Sequence, residues 1–185
     1  MDRDSYNSGD WFNRIDWTYT DNYFGTGLPI KDKNGDNWGQ IKPLLADLSI
    51  KPGAADIAWT RDAFRDLLKI RASSTLFRLR SGDDVKARLT FHNTGSSQVA
   101  TVLAGHLDGL GYPGAGFKEV LYLVNVDKAA QTLTIDALKG KAFVLHPMHT
   151  GAGAADKRPA ASAAVVSATG TFTVPARTAL VYVVN

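Results

Sequence analysis

The chain has 185 residues, of which 44% are hydrophobic, with 21 Lys and Arg against 18 Asp and Glu, a formal net charge of +3, and no cysteine. The small basic excess is scattered and does not interleave with aromatic residues, which argues against nucleic-acid binding. Without cysteine there is neither a disulfide framework nor a thiolate zinc site. No apolar run approaches the roughly 20 residues of a membrane-spanning helix, and no signal-peptide pattern opens the sequence.

The N-terminal segment is unusually polar and aromatic. Residues 1–17 contain four Asp, two Arg and four aromatic residues around a Ser-Gly turn. This mixture fits neither an amphipathic helix nor an alternating strand, and it is typical of a cleft in which polar rings are stacked and hydroxyl groups are hydrogen-bonded. We expect residues 1–37 to form a long ordered loop of an active site, because loops of this length in compact proteins are usually functional.

Two helices are expected next. Apolar spacing predicts a short helix over residues 38–48. Pro43 argues against a start at Trp38 and favours a start near Lys42, which would place the proline in the first turn. A longer helix is predicted from Asp56 to the residues before Ser73, with apolar residues on one face.

The pattern changes to strands after about residue 81. Short alternating or β-branched segments separated by Gly, Asn, Asp and Pro predict an antiparallel sandwich. The predicted strands cover residues 87–92, 99–107, 120–126, 131–135, 142–145, 165–166, 171–174 and 179–184, with a further alternating segment at 76–79. The Ala- and Gly-rich run over 151–164 is predicted to be a mobile loop.

Three segments resemble one family, in the expected order. Residues 1–17, MDRDSYNSGDWFNRIDW, closely resemble pullulanase-type starch-debranching enzymes of the alpha-amylase superfamily. Residues 64–77, FRDLLKIRASSTLF, resemble the family's last barrel helix. Residues 170–184 are similar to the final hairpin of its C-terminal sandwich.

The resemblance implies a fold and a division of the chain. It implies a mainly β chain, in which a C-terminal antiparallel β-sandwich follows a loop and helices that resemble the last βα unit of a (β/α)8 barrel. Residues 1–80 would be the terminal remnant of the catalytic barrel, and residues 81–185 the sandwich domain.

The resemblance also implies where catalysis takes place. Retaining glycoside hydrolases use two carboxylates about 5–5.5 Å apart. In this family they are expected on barrel strands that precede the segment found here, so no catalytic residue is assigned within 1–185. The aspartates Asp2, Asp4, Asp10 and Asp16 are not the catalytic pair.

Substrate binding is the role that the resemblance implies for the loop. Asp10 and Arg14 have the Asp-x-x-x-Arg spacing with which related amylases hold a glucose unit; the carboxylate accepts from sugar hydroxyls and the guanidinium donates to them. The candidate substrate-binding residues are Arg3, Asp4, Tyr6, Asp10, Trp11, Phe12, Asn13 and Arg14. The alternatives are a structural Asp10–Arg14 salt bridge and packing of Trp11 and Phe12 against the barrel.

No cofactor or metal is assigned. Residues 32–36, DKNGD, have the alternating oxygen ligands of a calcium loop but lack the closing Glu, so calcium is left as a possibility for a full-length parent enzyme. Apart from a loose pairing of His146 with His149, the four histidines have no metal-ligand spacing, and we expect surface or hydrogen-bonded histidines.

The sequence therefore predicts the C-terminal fragment of a glycoside hydrolase that cleaves alpha-1,6-glucosidic branches in pullulan, glycogen or starch dextrins, and that is inactive by itself. The alternative is a noncatalytic carbohydrate-binding or stabilising β-sandwich. The expected partner is an alpha-glucan, with no nucleic acid and no membrane. Self-association through an exposed apolar face containing Ile57, Phe64 and Leu68 is a further possibility. Secretion and a cytoplasmic location both remain open.

Overall fold

The computed structural model describes residues 16–185, which form two compact units, one comprising residues up to Asp62 and the other Ala63–Asn185. The helices are α1 (Lys31–Asn34), α2 (Trp38–Ala46), α3 (Ala54–Ala72), α4 (Gly82–Arg88), α5 (Pro147–Thr150) and α6 (Arg158–Ser162). The strands are β1 (Leu89–His92), β2 (Val102–Asp108), β3 (Glu119–Asn125), β4 (Gln131–Thr134), β5 (Val144–Leu145), β6 (Ala164–Val166), β7 (Thr171–Val174) and β8 (Thr178–Val184).

The strands form two antiparallel sheets. The larger has the order β1-β2-β3-β8-β5 and the smaller the order β4-β7-β6. Every strand pair is antiparallel. The expected mainly β fold with a C-terminal sandwich is confirmed. The relation of residues 16–80 to a barrel unit remains a prediction.

The core between the sheets follows from the alternation along each strand. On β3, Leu121 and Leu123 point to the inner face and are fully buried, and on β7, Phe172 meets them from the other sheet. The Phe172 ring packs edge-on against Phe143 and Tyr182, with centroids 5.7 and 5.4 Å away. Each such side chain contributes about 1.5–3 kcal/mol by leaving water.

A second cluster covers the outer face of the larger sheet. Ile70 from α3 and Leu76 pack against Val120 and Val183. Leu76 lies in a 3-10 helix over Thr75–Arg78, where a strand-like segment was predicted. Ser74 begins this turn, because its hydroxyl accepts from the Leu76 N–H and donates to the Ala115 carbonyl.

One aromatic ring on this outer face requires a glycine beneath it. Gly105 of β2 pairs with Tyr122 of β3. A Cβ added at Gly105 would lie 2.1 Å from Cζ of Tyr122. The Tyr122 ring therefore lies across the strand in the space that a side chain at position 105 would take.

A buried amide joins the end of β3 to the smaller sheet. Asn125 is 1% exposed. Its Nδ2 donates to the carbonyls of Ala129, Val174 and Pro175, and its Oδ1 accepts from the Asp127 N–H. These bonds satisfy polar backbone groups that the closure of the sandwich takes out of water.

Besides the segment around Leu76, four local predictions were wrong. The residues before β1 form α4, capped by the Ser81 hydroxyl, instead of a strand beginning at residue 87. Helix α2 begins at Trp38 and continues through Pro43. Residues 31–37 are helical and not part of a loop. The run 151–164 contains α6, and its Ala154 and Pro159 are buried.

No helix within residues 16–185 has the length and apolar character needed to cross a bilayer.

Candidate functional site

The predicted substrate-binding residues precede the part of the chain that the structure describes. Arg3, Asp4, Tyr6, Asp10, Trp11, Phe12, Asn13 and Arg14 all lie within residues 1–15, outside the described residues. Their binding role therefore stays a prediction. What the structure describes is how the chain immediately after them is held.

Asp16 organises the turn that follows the predicted binding segment. Its Oδ1 accepts from the backbone N–H and hydroxyl of Thr18 at 2.9 and 2.6 Å. Its Oδ2 accepts from the backbone N–H and hydroxyl of Thr20, both at 2.8 Å, and from the Asp21 N–H at 3.0 Å. These hydrogen bonds, of which the Thr18 hydroxyl's is the strongest, hold the pKa of Asp16 far below its usual range.

The same turn contacts α3 through an aromatic residue. Tyr19 has φ +59°, and its ring faces the Arg61 guanidinium, with the guanidinium carbon 4.7 Å from the ring centroid. Arg61 in turn makes a bidentate pair with Asp62, at 2.8 Å and 2.9 Å. Cation–π contacts at such exposed positions contribute about 0.5–1 kcal/mol. The turn after Asp16 is therefore joined to the helix.

Farther along the chain, Trp38 makes a hydrogen bond to the segment that precedes α1. Trp38, the first residue of α2, donates from Nε1 to the Pro29 carbonyl at 2.8 Å. Pro29 is buried, unlike the other described residues of the first unit. Lys42 lies 5.8 Å from the Trp38 ring centroid. These contacts fix the return of the chain into α2.

Asp16 is the residue in this region that sequence reasoning missed. It was grouped with the other N-terminal aspartates and given no role of its own. The sequence Asp-Trp-Thr-Tyr-Thr over residues 16–20 contains the signal, since an Asp followed by Thr two and four residues later favours side-chain turns.

Large apolar side chains are exposed on α3, as the sequence predicted. On α3, Phe64 is 61% exposed and Leu68 47% exposed, whereas Ile57 is half-buried. Self-association through this face stays a prediction.

Within residues 16–185 no group of three or more His, Asp or Glu side chains is arranged to hold a metal. The DKNGD segment lies in α1 and the following 3-10 helix. His146 and His149 are buried and make hydrogen bonds.

A cluster of titratable side chains lies on the larger sheet. Glu119 Oε2 accepts from His106 Nε2 at 2.7 Å and from Lys141 Nζ at 2.6 Å. Burial lowers the pKa of His106, although Glu119 acts in the opposite direction. The His92 ring lies 5.6 Å from that of His106, and its Nε2 is buried without a hydrogen-bond partner. This cluster joins the ends of β1, β2 and β3.

The chain is similar to pullulanases along nearly its whole length. The chloroplastic pullulanase 1 of Arabidopsis thaliana is 42% identical over 99% of this chain and 19% of its own length. The pullulanase of Klebsiella pneumoniae is 32% identical over 94% of this chain and 16% of its own length. The chain thus spans less than a fifth of the length of these relatives.

Solved structures give the same result. The crystal structure of PulA from Klebsiella oxytoca matches 99% of this chain and 17% of that chain, with a TM-score of 0.83 and 30% identity. A maltotriose complex of PulA from Klebsiella pneumoniae matches 98% of this chain and 19% of that chain, with a TM-score of 0.83 and 29% identity. Residues 19–185 also match the family model of pullulanase-type alpha-1,6-glucosidases, C-terminal. The chain therefore belongs to the family of pullulanase-type alpha-1,6-glucosidases and corresponds to their C-terminal region.

Proposed function

We propose that the chain forms the C-terminal part of an enzyme that hydrolyses alpha-1,6-glucosidic branch linkages in pullulan, glycogen or starch-derived dextrins. The observation that carries this proposal is the 42% identity to a pullulanase across 99% of the chain. In this proposal, residues 1–80 derive from the last unit of a catalytic barrel, and residues 81–185 are the accessory sandwich.

The chain contributes one wall of the substrate cleft. The Asp10 carboxylate and the Arg14 guanidinium bind sugar hydroxyls with charge-assisted hydrogen bonds, and Trp11 and Phe12 lie against the sugar rings. Two observations support this role. A relative is known in complex with maltotriose. The turn at Asp16, held by five hydrogen bonds, fixes the chain two residues after Arg14.

Catalysis itself requires residues outside this chain. The retaining mechanism needs a nucleophile and an acid/base, and the family resemblance assigns neither to positions 1–185. The chain by itself is therefore expected to leave pullulan intact.

The test is a chimera in which this chain replaces the matching C-terminal segment of the Arabidopsis pullulanase. We expect the chimera to release reducing ends from pullulan and the isolated chain to release none. In the chimera, Asp10→Asn removes the charge from a hydrogen bond worth about 1.5–3 kcal/mol, and Arg14→Lys keeps the charge but removes the bidentate guanidinium geometry. They should lower kcat/KM by roughly ten- to a hundredfold.

Asp2→Asn is the matched control, because it makes the same chemical change outside the predicted binding set. Hydrolysis by the isolated chain would contradict the assignment of the catalytic residues elsewhere. Equal kcat/KM for Asp10→Asn and Asp2→Asn would contradict the binding role of Asp10.

A stabilising sandwich is the second candidate. It is favoured by the second unit, Ala63–Asn185, which contains both core clusters. If the isolated chain retains maltotriose on its own, it is a binding module. If it binds no glucan and only raises the Tm of the chimera's barrel, the sandwich is stabilising.

A further inference from the structure

Next to strand β5, a histidine side chain makes a hydrogen bond to the edge of β8. Strand β5 has only two residues, and it pairs with β8 at Val183 and Tyr182. One residue farther along β8, the His146 N–H donates to the Val181 carbonyl at 2.9 Å. The Val181 N–H then donates to Nε2 of His149 at 3.0 Å. An imidazole nitrogen thus accepts the hydrogen bond that a neighbouring strand would otherwise take from buried Val181.

His146, the residue directly before α5, connects α5 to the end of α3. Nδ1 of His146 accepts from the Met148 N–H at 3.1 Å, so Nε2 is the protonated nitrogen. That Nε2 lies 3.0 Å from the Ser73 hydroxyl, to which it donates. The hydroxyl donates in turn to the Ile70 carbonyl at 2.7 Å. Ser73 therefore connects the last turn of α3 to α5.

Both arrangements require neutral imidazoles. His149 needs a lone pair on Nε2, and His146 needs one on Nδ1, because each of these nitrogens accepts from a backbone N–H. The side chains are 7% and 3% exposed, respectively. Burial lowers the pKa of both, that of His149 to about 4.

The charged groups around His149 are already engaged. His146 lowers its pKa further, and Asp156 and Asp66 act in the opposite direction. Asp66 accepts from the Ala155 N–H at 2.8 Å and from Lys69 at 3.2 Å, and Asp156 pairs with Arg158 at 2.6 Å. Strand β8 contributes one titratable side chain, Tyr182. The loop before β3 contributes the Phe117 ring, 5.4 Å from that of His146.

We propose that His146 and His149 form an acid-sensitive latch, which holds the end of α3 and the edge of β8 together at neutral pH and opens when the imidazoles are protonated. A proton on Nε2 of His149 would place two donors face to face at Val181. A proton on Nδ1 of His146 would do the same at Met148. Opening exposes the edge of β8 while the inner core between the sheets remains closed.

The test is hydrogen exchange of the Val181 amide by NMR in the whole chain, relative to the Leu123 amide in the centre of the larger sheet. Protection is corrected for the intrinsic pH dependence of exchange. If His149 has its ordinary pKa of 6.5 in the open state and about 4 in the closed state, linkage predicts a loss of Val181 protection of roughly fiftyfold between about pH 7 and about pH 4.5. Leu123, which exchanges only when the larger sheet unfolds, should stay better protected than Val181 at every pH.

Two variants make the test specific. His149→Gln keeps a carbonyl acceptor but does not titrate, so the loss of Val181 protection between these pH values should shrink to the part that His146 contributes. His92→Gln is the matched control, because it removes another partly buried histidine far along the sequence, and the pH dependence should persist.

The latch is refuted if Val181 protection does not change with pH, or if it falls in His149→Gln as it does in the unchanged chain. Should His149→Gln fail to fold, the imidazole resonances of the unchanged chain decide. Titration of His149 at or above its ordinary pKa would refute the latch. Titration well below that value, with Nε2 unprotonated at neutral pH, would support it.

Discussion

The two compact units of the chain differ in how far they bury their apolar side chains. In the second unit, Ala63–Asn185, alternating strands bury two clusters, and Val120, Leu121 and Phe172 are inaccessible to solvent. In the described part of the first unit, Trp17 is 76% exposed and Leu48 79% exposed. The first unit is held instead by polar contacts such as those of Asp16.

This difference indicates which unit supplies most of the free energy of folding. Hydrophobic burial is the dominant favourable contribution to folding, and it is concentrated in the sandwich. Hydrogen bonds in exposed turns contribute much less, because they replace bonds to water. The second unit should therefore determine the global unfolding transition, and the first unit should respond to change only locally.

Truncation of the core is the strongest test of this contrast. Phe172→Ala removes a fully buried ring that touches Phe143 and Tyr182. It should lower the free energy of unfolding by about 3–5 kcal/mol. Leu48→Ala, at an exposed position of the first unit, should change it by less than about 0.5 kcal/mol. Urea denaturation followed by circular dichroism measures both, and similar shifts for the two variants would contradict the contrast.

The buried amide is the next test. Asn125→Asp replaces the Nδ2 donor with a carboxylate oxygen that faces the carbonyls of Val174 and Pro175. Leaving these acceptors without a donor should cost about 2–3 kcal/mol in the same urea experiment. Asn37→Asp makes the same change at an exposed position of the first unit and should have almost no effect. A tolerated Asn125→Asp would mean that the link between the sheets is dispensable.

Acid should affect the two units in different pH ranges. All four histidines, His92, His106, His146 and His149, lie in the second unit, and burial lowers the pKa of each. The unfolded chain therefore binds more protons than the folded chain below the ordinary pKa of 6.5. Stability is complete above that pH and is lost as pH falls toward about 4, the pKa of folded His149.

In the first unit, the Asp16 carboxylate has a lowered pKa. The stability that it gives to its turn is therefore present above the ordinary pKa of 3.8 and is lost only below it. Between about pH 7 and about pH 4.5 the unfolding free energy should fall by about 2 kcal/mol from His149 alone. The Asp16 turn should persist across that range. Urea midpoints and Thr20 amide exchange at several pH values measure the two responses, and loss of the turn first would reverse the expected order.

The smallest expected effect is that of Asp16→Asn. The amide keeps one acceptor oxygen, so the backbone and hydroxyl donors of either Thr18 or Thr20 lose their partner. Amide exchange at Thr20 and Asp21 should accelerate, while the urea midpoint of the whole chain stays unchanged. Asp36→Asn, which also lies in the first unit, is the matched control. A shifted midpoint would show that the first unit contributes to global stability.

The strands of the sandwich could be predicted from the sequence because alternation has a direct physical cause. β3 and β8 each present every second side chain to the inner core. The predicted range of β3 is shifted by one residue, and that of β8 begins one residue late. β2 begins three residues later than predicted. β5 begins two residues later than predicted and ends at the predicted residue, after which the chain turns into α5.

The predictions for α4 and α2 were wrong because neighbouring residues there favour different structures. α4 has seven residues, too few for a helical period to be seen, although Ser81 and two following aspartates are an N-terminal signal. In α2, Pro43 removes the N–H that would bond the Gly39 carbonyl. That carbonyl belongs to an exposed residue and can bond water, so the helix continues.

The latch could not be predicted from the sequence at all. The loose spacing of His146 and His149 favours surface or hydrogen-bonded histidines over metal ligands, but it does not identify their hydrogen-bond partners. Those partners are Ser73 and Val181, which lie 73 and 32 residues away along the chain. Only the folded topology brings an unpaired edge N–H of β8 to an imidazole. Asp16, in contrast, finds its partners within five residues and was predictable in principle.

The contact between Gly105 and Tyr122 has a consequence for how this domain can evolve. Because the tyrosine ring lies where a Cβ at position 105 would be, the two positions cannot vary independently. A side chain is accommodated at position 105 without displacement only after position 122 has become small. Descendants that keep the Tyr122 ring in this position should therefore also keep Gly105.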